Sequence, residues 1–268
     1  MAILIHRIIY IKKWKGDEYM GYNSISIKKV ITYFNNPIEQ GGFWLPNVQK
    51  EFIWREEQIE KFADSIMREY PIGVFLVLKT KKTINYRRFV NTYSEGVNIN
   101  SNPESITENQ KLLVLDGQQR LQGLFIALNG SYNGKELYFN VLSGDETNEK
   151  GLKYNFKFMR ENEKSDYWIK VKDVINSDQK NNVNRRNVIS KIQEDVGEEF
   201  TQEVRNVIDD NLDELINCFT IQDSICYAVL DDVENAGLYN NEDICDIVTR
   251  YNSIGSIFSK ESLIKALT

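Results

Sequence analysis

The continuous apolar run Gly73-Val74-Phe75-Leu76-Val77-Leu78, with β-branched and aromatic members, constrains this chain most. Both alternating sets of side chains in it are apolar, so it reads as a strand buried on both faces. A helix precedes it. Ile59, Phe62, Ala63, Ile66, Met67 and Tyr70 recur at steps of three and four, which predicts an amphipathic helix over 55–70, ended by Pro71. Tyr70-Pro71-Ile72-Gly73 supplies the turn between helix and strand. A chain of 268 residues buries roughly three quarters of its unfolded surface. With 41% apolar residues and only 4 prolines it is an ordered globular protein.

The rest of the chain continues the mixed pattern. Strands are predicted over 84–90, 112–115, 137–142, 154–159 and 225–230. Residues 92–110, rich in Asn, Ser, Gly, Pro and Glu, read as an exposed loop of a length that is often functional. Leu121, Leu124, Phe125 and Leu128 mark a helix that stops at Asn129-Gly130. Further helices are predicted over 188–196, 200–219, 242–251 and 260–267, with a polar run over 177–187. The architecture expected is α+β: a mixed sheet flanked by helices, then a mainly helical part that returns one strand. The boundaries expected are an N-terminal extension over 1–22, a first domain over 23–160 and a helical region over 161–268.

One histidine, His6, is present. A Ser/His/Asp triad, an H-E-x-x-H zinc helix, a Cys/His finger and an HNH nuclease site each need a histidine inside a motif, and His6 in Leu4-Ile5-His6-Arg7-Ile8 has no such neighbours. Three cysteines without a C-x-x-C pair read as reduced thiols of a cytoplasmic protein. No stretch approaches the length of a membrane span. The formal charge of −6 argues against a broad nucleic-acid-binding face but allows a local basic patch.

Leu115-Asp116-Gly117-Gln118-Gln119-Arg120-Leu121 carries the chemistry. A strand ends, Gly117 permits a tight turn, and a helix begins with unpaired N–H groups and a positive dipole end, an arrangement that favours anions. Arg120 in that first turn needs a negative partner, either a phosphate gripped by its guanidinium or a surface carboxylate. Gln118 and Gln119 supply neutral donors. Asp116 is either the helix N-cap or a ligand for a divalent metal bound together with phosphates.

This string resembles the DGQQR signature of the N-terminal domain of GmrSD-type modification-dependent restriction enzymes, whose fold is ParB/sulfiredoxin-like. Pro46-Asn47-Val48-Gln49-Lys50-Glu51-Phe52-Ile53-Trp54 is similar to that family's P-x-x-Q-R-x-x-x-W segment, with Lys50 in place of arginine. Asp64-Ser65-Ile66 and Tyr70-Pro71-Ile72-Gly73 follow in the family's order, and Arg250-Tyr251-Asn252-Ser253-Ile254-Gly255 resembles its R-x-N-S-G-G element, with Ile254 in place of a glycine. The resemblance covers residue 23 onward. It implies nucleoside triphosphate binding and hydrolysis with Mg²⁺, coupled in the full system to modified phage DNA and to a histidine-dependent nuclease, which is expected either on a separate chain or in a longer protein of which this sequence is a fragment. Asp116, Gly117, Gln118, Gln119 and Arg120 carry over directly. Arg120 and the backbone after Gly117 would grip phosphate, and Asp116 would position metal or water, which makes Asp116 and Arg120 the catalytic candidates. Gln49 and Lys50 flank them as phosphate or base contacts, together with Arg250, Asn252 and Ser253. For Arg250 and Asn252 a plain helix C-terminus is an equal reading.

Other patterns are weaker. Gly130 to Glu136 has P-loop composition but not its spacing, and reads as a hairpin turn. Asp231-Asp232 is a carboxylate pair at a strand end. Glu136, Asp145 and the lysines over 150–157 specify no nuclease pattern. Arg87-Arg88 and the lysines over 79–82, with Tyr86, Phe89 and Tyr93 as stacking partners, form a candidate patch for single-stranded nucleic acid. Three functions therefore compete: a nucleoside triphosphate-binding and hydrolysing domain of an anti-phage or restriction system, a DNA-binding or nicking module, and an inactive interaction domain. The first is the reading preferred.

Overall fold

The computed structural model describes residues 22–37, 42–46, 51–82, 85–96, 111–176, 181–234 and 239–252. In chain order they form β1 (Tyr22–Ile25), α1 (Ile27–Tyr33), β2 (Phe43–Pro46), α2 (Glu56–Met67), β3 (Val74–Thr80), β4 (Tyr86–Arg87), β5 (Thr92–Tyr93), β6 (Lys111–Asp116), α3 (Gln118–Asn129), β7 (Ser131–Tyr132), β8 (Glu136–Asn140), β9 (Phe156–Met159), β10 (Trp168–Lys170), α4 (Val171–Ile175), α5 (Asn181–Val196), α6 (Gln202–Ile216), β11 (Ile225–Asp231) and α7 (Asn241–Asn252). The fold is α+β, as the mixed sequence pattern requires.

The main sheet runs β1-β11-β3-β6-β2-β4 and is mixed. β3 lies between β11, to which it is parallel, and β6, to which it is antiparallel. Phe75 and Val77 enter a core shared with α1, α2 and α3, while Leu76 and Leu78 enter a second core with Ile244, Cys245 and Val248 of α7. The all-apolar run is thus buried on both faces because helices cover the sheet from both sides. β11 is the strand returned by the helical part, and it inserts between β1 and β3. A smaller sheet, β10-β8-β9, packs β9 against α2.

Carboxylates and amides add to the strand ladders, holding several irregular segments and binding α2 to β9. On α2, Asp64 Oδ1 accepts from the backbone N–H groups of Lys153 (3.1 Å) and Tyr154 (2.8 Å), and Glu60 Oε1 accepts from that of Phe158 (2.9 Å). Both side chains are buried, and burial pushes the Glu60 carboxyl above its ordinary pKa. The expected strand over 84–90 shortens to β4 for the same reason. Asn35 accepts from the Phe89 N–H and donates to its carbonyl, and Gln122 does the same at Val90, so two side-chain amides replace a ladder there.

Other boundaries move in instructive ways. The polar run over 177–187 contributes the first turns of α5 from Asn181. The helix expected over 200–219 is α6 followed by a π-helical turn, Asn217–Ile221. Thr92–Tyr93, expected in a loop, pairs with β7 as a short parallel strand, and β10 was not anticipated. The helix expected over 260–267 lies outside the described residues, as does His6. Among the described residues no helix is long and apolar enough to cross a membrane.

Candidate functional site

β6 ends beside a register irregularity: Leu76 pairs with Asp116 and Val77 with Val114, so Leu115 is the extra residue of a bulge. Such a bulge re-aims the side chains that follow it. Gly117 then takes φ +86 and caps α3 without any side-chain hydrogen bond. A β-carbon there would carry the left-handed conformational penalty and would also overlap the Phe75 ring. The N-cap is therefore Gly117, not Asp116. The N–H groups of the first turn, on Gln118, Gln119 and Arg120, have no intrahelical acceptor, and the first intrahelical bond runs from the Leu121 N–H to the Gly117 carbonyl (3.0 Å).

The motif side chains fan out from this point. Gln118 is buried and donates through Nε2 back to the Val114 carbonyl (2.5 Å), tying helix to strand. Gln119 takes hold of the 51–53 segment from both sides: Oε1 accepts from the Ile53 N–H (2.9 Å) and Nε2 donates to the Glu51 carbonyl (3.0 Å). Arg120 Nη2 lies 3.3 Å from Asp116 Oδ2, Nη1 donates to the Ile72 carbonyl, and the guanidinium carbon stands 4.7 Å from the Phe75 ring centroid. Of the two readings of Arg120, the carboxylate partner is present, and it is Asp116 itself. Both side chains keep about a quarter of their surface open, 24% each, so solvent screens the pair in part and it is worth no more than about 1 kcal/mol.

Phe75 is the piece the sequence reading passed over as plain core. Its ring is met on one side by Gly117 and on another by Arg120. Gly73, at φ +84, leaves room for the same guanidinium, because a β-carbon there would collide with Arg120 Nη1. Gln122 was also missed. Its signal is a buried polar residue four positions after Gln118, on the same helix face as Phe125 and Ile126.

The flanking candidates divide. Gln49, Lys50 and Ser253 lie outside the described residues. Arg250 is in the last turn of α7, exposed, with Nε 2.7 Å from Asp246 Oδ2, and Asn252 ends that helix. α7 packs on the sheet face opposite α3, so the helix-terminus reading of Arg250 has a partner in place. As a metal position Asp116 stands alone: no group of three or more His, Cys, Asp or Glu gathers among the described residues. One carboxylate suits Mg²⁺ only where phosphate oxygens and water complete its shell.

The weaker patterns resolve into structure. Asn133 (φ 50) and Gly134 (φ 72) form a two-residue hairpin turn closed by Tyr132 and Lys135, and Lys135 pairs with Glu56 (2.9 Å). Asp231 accepts from Lys79 (2.8 Å), and Asp232 lies 3.1 Å from the Lys82 ammonium. Those ion pairs neutralise part of the basic patch. Its stacking candidates Tyr86, Phe89 and Tyr93 are all buried, so they offer no platform to bases.

Comparison with known proteins adds two findings. The model of the GmrSD restriction endonuclease N-terminal domain matches residues 30–268. The uncharacterized protein MJ0686 of Methanocaldococcus jannaschii is 35% identical over 91 residues, which is 33% of this chain and 15% of that protein's length. The chain thus spans a small part of that relative. With the family match running through the Asp116–Arg120 helix start and nearly all the rest of the chain, this protein belongs to the family of the GmrSD restriction endonuclease N-terminal domain, a component of restriction-type systems.

Proposed function

We propose that the chain binds a nucleoside triphosphate with its phosphates at the start of α3 and hydrolyses it, as part of a restriction or anti-phage system. The observation that carries this reading is a helix start without a side-chain cap: three N–H groups without intrahelical acceptors follow a left-handed glycine, with a partly open Asp116–Arg120 pair beside them. Arg120 would exchange part of its contact with Asp116 for a phosphate oxygen, a stronger charge-assisted partner. Asp116 is then freed to hold Mg²⁺ or to orient the attacking water. Mg²⁺, when bound, would neutralise phosphate charge. Hydrolysis would join a water oxygen to the γ-phosphorus, break its bond to the β–γ bridging oxygen, and release nucleoside diphosphate, phosphate and a proton.

The DNA-binding alternative loses the platform that motivated it, since the aromatic side chains are core and Lys79 and Lys82 are ion-paired. Modified phage DNA and a separate nuclease chain belong to the proposal at the level of the whole system. The test is turnover of the four common nucleoside triphosphates by the wild-type chain, Arg120→Ala and Asp116→Asn. Arg120→Ala should lower turnover by about a hundredfold or more, as expected for a lost transition-state charge contact. Absence of both binding and turnover with every nucleotide would rule the reading out.

A further inference from the structure

Among the described residues four large apolar side chains are exposed, and three of them, Ile53 (65%), Tyr70 (52%) and Ile221 (68%), lie at one end of the main sheet. The register defines that end. Leu76 pairs with Asp116 and Cys226 with Val74, so the start of β3, the end of β6 and the start of β11 stand side by side. Gln119, in the first turn of α3, holds the backbone of Glu51 and Ile53, and Arg120 holds the Ile72 carbonyl. Gln222 Nε2 donates to Glu69 Oε1 (3.2 Å), which brings the segment carrying Ile221 up to the residue before Tyr70. Apolar side chains scattered singly over a surface need no explanation, but three around one polar helix start do.

Tyr70 is the one of the three built as a platform. α2 ends in a Schellman motif: the Tyr70 N–H donates to the Ser65 carbonyl and the Glu69 N–H to the Ile66 carbonyl, both at 2.9 Å, with Glu69 left-handed at φ 53. A residue in the position of Tyr70 commonly packs back on an apolar side chain one turn earlier. Here those positions are Asp64 and Ser65, so the ring gains no such partner and stays open. The Arg68 guanidinium stacks on it instead, its carbon 4.7 Å from the ring centroid and its Nη1 3.3 Å from Asp64 Oδ2. Pro71 fixes the next φ, and the bond from Arg120 to the Ile72 carbonyl ties the turn to the motif. A tyrosine ring backed by an arginine, with more than half of the residue open, suits the stacking of a planar heterocycle.

We propose that Tyr70 stacks the base of the nucleoside triphosphate whose phosphates lie at the start of α3. The inference rests on the nucleotide reading and adds to it the residue that distinguishes a nucleotide from bare polyphosphate. Tyr70 is two residues from the Ile72 anchor of Arg120, at most about 7 Å of chain, which is within the length of a nucleotide. Every base has a π face, so the selectivity expected is for a base over none, not for one base over another.

Titration calorimetry of the whole chain with Mg²⁺ tests this, comparing slowly hydrolysed analogues of the four common nucleoside triphosphates with inorganic tripolyphosphate. Tyr70→Ala should weaken every nucleotide analogue by about fivefold or more and leave tripolyphosphate within about twofold of wild type. Tyr70→Phe keeps the ring and should bind both like wild type, and Ile53→Ala should leave the nucleotide affinities within about twofold. Arg120→Ala should weaken nucleotide and tripolyphosphate together, because it removes the phosphate grip. The proposal is overturned if Tyr70→Ala binds nucleotides like wild type, if it loses tripolyphosphate equally, if Tyr70→Phe does not restore binding, or if the loss follows Ile53 instead. Wild-type protein that binds neither ligand would remove the nucleotide reading and this inference with it. Binding of both that depends on Arg120 but not on Tyr70 would remove this inference alone.

Discussion

At the scale of single residues, the candidate site is built around an aromatic ring rather than around a charge. Phe75 fills the space that a side chain at Gly117 would need and lies under the Arg120 guanidinium. Gly117→Ala should therefore destabilise the protein by roughly 3 kcal/mol, combining the left-handed penalty with displacement of a core ring, as read from chemical denaturation. Glu60 gives a prediction of opposite sign. Burial raises its folded-state pKa above the unfolded value, so its contribution favours folding in acid and is lost as pH rises through the folded-state pKa. Glu60→Gln keeps an oxygen to accept the Phe158 N–H and removes the buried charge. The variant should be more stable than wild type at pH 8, and the difference should vanish as pH falls toward 4. A difference that grows in acid would contradict the sign.

At the scale of elements, what could be read from the sequence depended on how each segment satisfies its backbone. β3 was legible because burial on both faces makes it continuously apolar, and α3 because its apolar residues recur at helical steps between the breaks at Asp116-Gly117 and Asn129-Gly130. β4 was over-extended because Ile84, Tyr86, Phe89 and Val90 are strand-favouring residues, whereas Phe89 and Val90 bond to Asn35 and Gln122 at sequence separations of 54 and 32. Nothing local encodes such pairings. The motif was legible as a helix start, but the roles of its glutamines as backbone clasps were not, because Gln119 meets a segment 66 residues away. Gln122→Ala strands the Val90 N–H and carbonyl, and it should cost about 2–3 kcal/mol. Equilibrium unfolding should show this loss, while an exposed-site control such as Lys61→Ala should stay within about 0.5 kcal/mol.

For the whole molecule, the sheet organises function by separating its two faces. α3, with the motif, covers one face, and α7 covers the other, so the Arg250 region and the helix start are placed by different cores. A ligand that bridges the start of α3 to the 51–53 segment and the Ile72 turn ties three separate stretches of chain together. It should raise Tm in proportion to the logarithm of its concentration once above Kd, by mass action on the folded state. That rise should be lost in Arg120→Ala, measured against the variant's own ligand-free baseline.

The most direct test of the central claim is a crystal of this chain soaked with Mg²⁺ and a slowly hydrolysed nucleoside triphosphate analogue. The account predicts phosphate density within hydrogen-bonding distance of the backbone N–H groups of Gln118, Gln119 and Arg120, with the Arg120 guanidinium turned onto it. Nucleotide density elsewhere in the molecule, with the Asp116–Arg120 pair and the helix start unchanged, would contradict it.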